Sequence, residues 1–147
     1  MIKNEYRPDV VSRPGATLEE TLLERGMSQV QFAQRTGRPL KLINEIIKGK
    51  ASITPETSLQ FEQVLGIPAR FWNNRESQYR EYLARMAEHE RQHEYIEWAE
   101  SFPIKEMVLH KWLPDATNKI ERVQTMLRYF GVVSPDQWDA LWTEKQP

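Results

Sequence analysis

Two short stretches of the sequence hold residue types at spacings that could do chemistry. The first is His89-Glu90-Arg91-Gln92-His93. Two imidazoles four residues apart share one helical face, and a zinc peptidase keeps its general base beside the first of them. The surroundings argue against that use. Arg91 and Gln92 fill positions that such enzymes keep uncharged and mostly apolar, because the helix lies beneath the active site. Glu88, Glu94 and Glu97 flank the motif and read as a solvated face. The expectation is therefore no catalytic metal, no cofactor and no enzymatic activity. Glu97, four residues past His93, could at most complete an adventitious surface site with His89 and His93.

The second stretch, residues 28–50, carries the chemistry of nucleic-acid readout. Ser28-Gln29-Val30-Gln31-Phe32-Ala33 leads through Gln34-Arg35-Thr36-Gly37 into Arg38-Pro39-Leu40-Lys41-Leu42-Ile43-Asn44-Glu45-Ile46-Ile47-Lys48-Gly49. This spells two short helices joined by a turn, with small Ala33 at their crossing and Gly37 free to take the left-handed conformation of the turn. Ile43, Ile46 and Ile47 fall at i, i+3, i+4 and share a buried face. Leu40, Lys41, Asn44, Glu45 and Lys48 then face solvent. A second helix of this kind enters the major groove through its N-terminal residues. Asn and Gln can bond adenine, Lys reaches guanine acceptors, and Leu touches a thymine methyl. The first-turn N–H groups beside Ser28 and Gln29 suit a backbone phosphate. The expected contact set with double-stranded DNA is Ser28, Gln29, Arg38, Pro39, Leu40, Lys41, Asn44, Glu45, Lys48 and Lys50. The plainer reading is a helical hairpin without a ligand.

These residues must be positioned by the rest of a 147-residue chain, long enough for one domain or two small ones. All periodic segments read as helix, so the expected fold class is all-α. The first helix is expected near 17–25, with Thr17 as N-cap and Glu20 three residues on. Helices from Ser28 to Gly37 and from Pro39 to Lys48 follow. A fourth starts at Thr54-Pro55-Glu56 and ends at Gly66. Pro68 then opens a long helix expected to reach about residue 100, where Ser101-Phe102-Pro103 breaks it. Further helices are expected over 104–111, over roughly 116–130 and after Ser134-Pro135. The division read from this pattern is an N-terminal arm (1–14), a helix-turn-helix domain (15–85) and a C-terminal helical region (86–147).

Composition narrows the function classes. There is no cysteine, which excludes disulfides, cysteine zinc sites and iron–sulfur clusters and fits a reducing cytosol. No apolar run nears the ~20 residues of a membrane span, and the first residues lack an apolar core for secretion. A cytoplasmic protein is expected. The formal net charge of −1 hides a segregation. Residues 13–55 hold seven Lys and Arg against four Glu, an excess of +3 that coincides with the helix-turn-helix. Residues 76–100 hold seven Glu against three Arg, an excess of −4 suited to a basic partner.

Phe71 and Trp72 are expected to pack on Leu59 and Leu65 and close the small domain. Tyr79, Tyr82, Leu83 and Met86 lie further along the long helix and need another surface, either the C-terminal helices or a second subunit, of which the second subunit is the favoured expectation. Readers of this type bind paired half-sites about 34 Å apart, which favours a two-fold dimer. Trp98, Trp112, Trp138 and Trp142 are expected to be core.

Residues 15–85 resemble the lambda-repressor-like (Xre/Cro) DNA-binding domain, specifically antitoxins of the HigA or VapI type. The residues that carry this are Ser28-Gln29, Phe32-Ala33, Gly37 and Ile43–Lys50. Most specific are Ile53-Thr54-Pro55-Glu56-Thr57-Ser58-Leu59 and Leu65-Gly66-Ile67-Pro68-Ala69-Arg70-Phe71-Trp72. The resemblance implies a five-helix domain and a dimer on a palindromic operator, together with neutralisation of a toxin that cleaves messenger RNA. By position it puts Gln29, Leu40, Lys41 and Asn44 at the DNA, with Arg38 and Lys48 nearby. The continuation at Phe102–Met107 and Tyr129–Val132 is similar to the middle segment of longer regulators that carry a zinc-peptidase-like domain of the ImmA/IrrE type. Two alternatives stand beside the antitoxin reading: a protein-interaction module acting through acidic C-terminal helices, and the N-terminal part of a peptidase-linked regulator.

Overall fold

A computed structural model describes residues 10–144, and all regular structure among them is helical. The order is α1 (Pro14–Glu24), α2 (Gln29–Thr36), α3 (Leu40–Ile47), α4 (Pro55–Leu65), α5 (Ala69–His93), α6 (Ile96–Glu100), α7 (Ile104–Leu109), α8 (Lys119–Phe130) and α9 (Pro135–Glu144). The all-α fold class is as expected. Two compact units divide between Ala84 and Arg85, with α5 spanning the division.

In the first unit α1 begins three residues earlier than its capping pattern suggests. Pro14 takes the first helical position, where its missing N–H costs nothing, and extended Arg13 is the N-cap. Thr17 is therefore an interior residue, whose carbonyl accepts the Thr21 hydroxyl at 2.8 Å. The expected arm of residues 1–14 falls mostly on residues 1–9, outside the described part, and its last residue is helical. α2 and α4 start as read. Ser28 and Gln31 form a reciprocal capping box, and Thr54 accepts from the Thr57 N–H ahead of Pro55.

Leu18, Phe32, Ile43, Ile46, Phe61 and Trp72 are the buried centre of this unit. Each such side chain stabilises the fold by about 1.5–3 kcal/mol through the apolar area it removes from water. The Phe61 ring lies 5.0 Å from that of Phe32 and edge-on to Trp72 at 5.5 Å. Trp72 closes the domain, but on Phe61 and not on Leu59, which is 59% exposed. Phe71 is 39% exposed, its ring edge-on to Trp72 at 5.2 Å. Arg75 of α5 ties the start of the unit together, donating to the Ser12 and Thr17 hydroxyls at 2.8 and 2.9 Å.

The second unit has its own core of Ala99, Met107, Leu113, Val123, Met126 and Leu127. The long helix expected to reach residue 100 stops at His93. The N–H groups of Glu94 and Tyr95 turn back to the carbonyls of Arg91 and Gln92, the tighter three-residue spacing that ends an α-helix. Tyr95 packs against the core as a result, and the chain restarts as α6. Of the flanks read as a solvated face, Glu94 and Glu97 are exposed and Glu88 is half-buried, while Gln92 within the motif is buried and its Oε1 accepts from Gln124 Nε2 of α8 at 2.9 Å. α7 and α8 are shorter than expected: Lys111 lies at φ 62°, beyond the end of α7, and Asn118 caps α8 by accepting from the Glu121 N–H. Trp98 and Trp138 join the aromatic layer with Phe102 and Phe130. Trp112 and Trp142, expected in the core, are 59% and 51% exposed. Trp112 instead stacks on His110, with ring centroids 4.9 Å apart.

Candidate nucleic-acid interface

α3 is placed by the close crossing with α1 and by the buried Ile43, Ile46 and Ile47. Its other face is open at the N-terminal end. Leu40 is exposed, and the Lys41 side chain is 87% exposed with its Nζ 4.0 Å from Glu45. Pro39 is the exposed N-cap of α3, and Lys48 and Lys50 are exposed just past its end. The turn before it depends on Gly37, whose φ of 71° places it in the left-handed region that disfavours a Cβ.

Asn44 and Gln29, read from sequence as separate contacts, are one unit. Asn44 Nδ2 donates to Gln29 Oε1 at 3.3 Å, joining the middle of α3 to the first residue of α2. This leaves Asn44 its carbonyl oxygen and a second N–H, the pair that recognises an adenine edge, while fixing its orientation. Sequence spacing gave no signal for the bond, which depends on how α2 crosses α3. Beside it, the capping box occupies the N–H groups of Ser28 and Gln31 at 2.9 and 3.1 Å. The N–H groups of Gln29 and Val30 are the remaining first-turn donors that could meet a phosphate.

Arg38 is used internally. Its Nε donates to Gln60 Oε1, and its Nη2 lies 3.4 Å from Glu56, with the side chain only 24% exposed. It fastens the turn between α2 and α3 to α4, a role missed in sequence because Glu56 and Gln60 lie on a separate helix. Glu45 is half-buried, and its carbonyl accepts the N–H groups of Lys50 and Ala51. Arg13 Nε likewise donates to the Ile47 carbonyl at 2.9 Å and holds the C-terminal end of α3.

The residues expected at a dimer interface differ in surroundings. Tyr79 is half-buried beside Gly49, where a Cβ on the glycine would sit 3.7 Å from its hydroxyl, so the first unit itself already receives this ring. Arg80 lies 5.4 Å from the Tyr79 ring centroid and pairs with Glu76 at 2.7 Å. Tyr82 is half-buried, and Leu83 and Met86 are exposed.

His89 and His93 stand with ring centroids 5.0 Å apart and planes nearly perpendicular. Burial, reinforced by the neighbouring His93 and opposed by Glu90, holds the His89 pKa below its ordinary 6.5. Among the described residues, no three His, Asp or Glu side chains gather as metal ligands. No described helix is long and apolar enough to cross a membrane.

Comparisons with known proteins agree with this geometry. Residues 18–72 match the helix-turn-helix family model. Over 62 residues the chain is 31% identical to the Escherichia coli K12 HTH-type transcriptional regulator YddM, spanning 42% of this chain and 66% of that relative. In structure it is similar to an addiction module antidote protein of a HigA family from Coxiella burnetii. That match has 27% identity and a TM-score of 0.51, over 57% of this chain and 92% of the other. It is also similar to a Nostoc punctiforme protein described as an antidote of a plasmid maintenance system. Here the identity is 25% and the TM-score 0.54, over 62% of this chain and 96% of the other. The names of all three describe regulators or antidotes, none an enzyme. Residues 18–72 are therefore a helix-turn-helix domain of the Xre type.

Proposed function

We propose that this chain is a sequence-specific DNA-binding transcriptional regulator of antitoxin type, acting in the cytoplasm by binding and not by catalysis. One observation carries the reading. The open N-terminal face of α3, with Leu40 and Lys41 exposed and Asn44 oriented by Gln29, stands beside the capped start of α2. That combination offers base-reading groups and phosphate donors together. The likeness to proteins named as antidotes supports two finer parts: binding of a palindromic operator as a homodimer, and neutralisation of a toxin partner. Tyr82, Leu83 and Met86 are the proposed dimer contacts, with Tyr79 behind them.

The test is titration of the full chain with the DNA upstream of its own gene, followed by fluorescence anisotropy at two salt concentrations. Saturable binding that weakens with salt and prefers this DNA to a scrambled duplex supports the reading. Equal affinity for both duplexes overturns it. A second reading, a partner-binding module whose helix-turn-helix is only scaffold, is favoured by the separate core of the second unit. It predicts no preference between the two duplexes.

A further inference from the structure

The second unit holds a cavity that DNA readout does not use. Its volume is about 570 Å³, within the range of small-molecule sites, and its lining comes from residues 100–122. The inner wall is apolar, made by half-buried Phe102, Ile104, Val108 and Ala116. One charged group stands among them, the half-buried Arg122 of α8. Its Nε donates to the Ala116 carbonyl at 3.3 Å, which turns the guanidinium back along the loop before α8. Among the described residues no carboxylate forms an ion pair with it, and its two Nη groups donate to no protein group. Asp115, next in the chain to Ala116, is exposed at the mouth and is likewise unpaired among the described residues. Glu100, Lys105 and Glu106 stand exposed at the rim.

We propose that this cavity binds a free α-amino acid with a large apolar side chain. The Arg122 Nη groups donate to its carboxylate, Asp115 accepts from its ammonium, and its side chain lies on Phe102, Ile104 and Val108. Three features select that ligand class. A guanidinium held among apolar side chains suits an anion with two parallel acceptor oxygens, which a carboxylate supplies. The apolar wall gains from a hydrocarbon group and nothing from a bare inorganic anion. Three carboxylates against Lys105 at the rim disfavour a simple anion and favour a ligand that also carries a cation. An α-amino acid bears both charges on one carbon. Asp115 and Arg122 are correspondingly joined to one residue, Ala116, the first through the chain and the second through its hydrogen bond. The inference stands apart from the DNA reading and does not rest on it.

The probe is L-phenylalanine, titrated against the full chain by calorimetry beside analogues that each lack one group. Phenylalanine amide, without the carboxylate, and alanine, without the ring, are expected to bind at least about tenfold weaker. Hydrocinnamate, without the ammonium, is expected to bind about three- to fivefold weaker, the worth of an exposed ion pair. Arg122→Gln is expected to weaken phenylalanine at least about tenfold. Asp115→Asn, a change at an exposed position outside the core, is expected to abolish the preference for phenylalanine over hydrocinnamate and to leave hydrocinnamate bound at least as tightly as before. Absence of saturable phenylalanine binding, equal binding of any analogue, or an unchanged preference in Asp115→Asn overturns the proposal. So does N-acetylphenylalanine that binds as tightly as phenylalanine, because the cavity would then take the C-terminus of a peptide chain.

Discussion

Gly15 offers the sharpest test of how α3 is held, because propensity and packing predict opposite signs there. It lies in the first turn of α1, and helix propensity alone favours alanine over glycine by about 0.5–1 kcal/mol. An added Cβ would sit 2.1 Å from the Ile46 carbonyl oxygen, 2.4 Å from that of Ile47 and 2.6 Å from the Ile47 Cα. All three are backbone atoms, so no rotamer change relieves the clash. Ordinary contact begins at 3.4 Å, so the α1–α3 crossing must open by about 1 Å. That displacement would loosen the packing of buried Leu18 and Leu22 against Ile46 and Ile47. Overpacking of a tight core costs about 1–3 kcal/mol, occasionally more, which exceeds the propensity gain. Gly15→Ala is therefore expected to destabilise the first unit by about 2 kcal/mol. The measurement is hydrogen exchange in increasing urea, read on the amides of Leu22, Ile46 and Ile47. Gly26→Ala is the control: its φ of 64° gives a conformational cost of about 1–2 kcal/mol, but no atom lies within 4 Å to be displaced. A Gly15→Ala protein as stable as wild type, or more stable, would refute the close crossing.

Lys41→Ala and Asn44→Ala are each expected to weaken operator binding by about 1–3 kcal/mol without loss of fold. A double-mutant cycle of Gln29→Ala with Asn44→Ala should show a coupling of at least about 0.5 kcal/mol in operator affinity, and strict additivity would deny their joint action. Gln92→Leu leaves the Gln124 amide of α8 without its partner, and urea unfolding of the second unit should register a loss of about 1–3 kcal/mol. The depressed His89 pKa means that the unfolded chain holds more protons than the folded one just below pH 6.5, so acidification through that range should destabilise the second unit. His89→Gln should flatten this dependence, as followed by circular dichroism melts across pH, and an unchanged slope would contradict the assigned cause.

What the sequence disclosed and what it withheld divide along the range of the interactions. Caps at Ser28 and Thr54, the left-handed turn at Gly37, the helix end at Gly66 and the isoleucine face of α3 are encoded within four residues and were legible there. Failures came where a distant element decides. Thr17 is an N-cap residue type, yet the helix starts at Pro14, and Gly15 beside it packs against the Ile46 and Ile47 backbone of α3. Phe61 and not Leu59 meets Trp72, since two steps along α4 turn a side chain by about 200°. The helical pattern through residue 100 is continuous, but burial of Tyr95 in a second core breaks it at His93.

The same distinction changes the meaning of the charge on the helix-turn-helix. Seven cations in residues 13–55 suggest a broad phosphate footprint. Arg13 instead holds the Ile47 carbonyl, Arg38 fastens the turn to Gln60 and Glu56, and Lys41 reaches towards Glu45. Two of the seven thus secure the ends of α3, and the acidic partners of Arg38 and Lys41 travel with the site. A charge already paired within the protein releases fewer counterions when it meets DNA than its formal count implies. The burden of discrimination then falls on what α3 presents to the base edges, Leu40, Lys41 and the Gln29–Asn44 pair, and these are the groups the internal arginines keep in place.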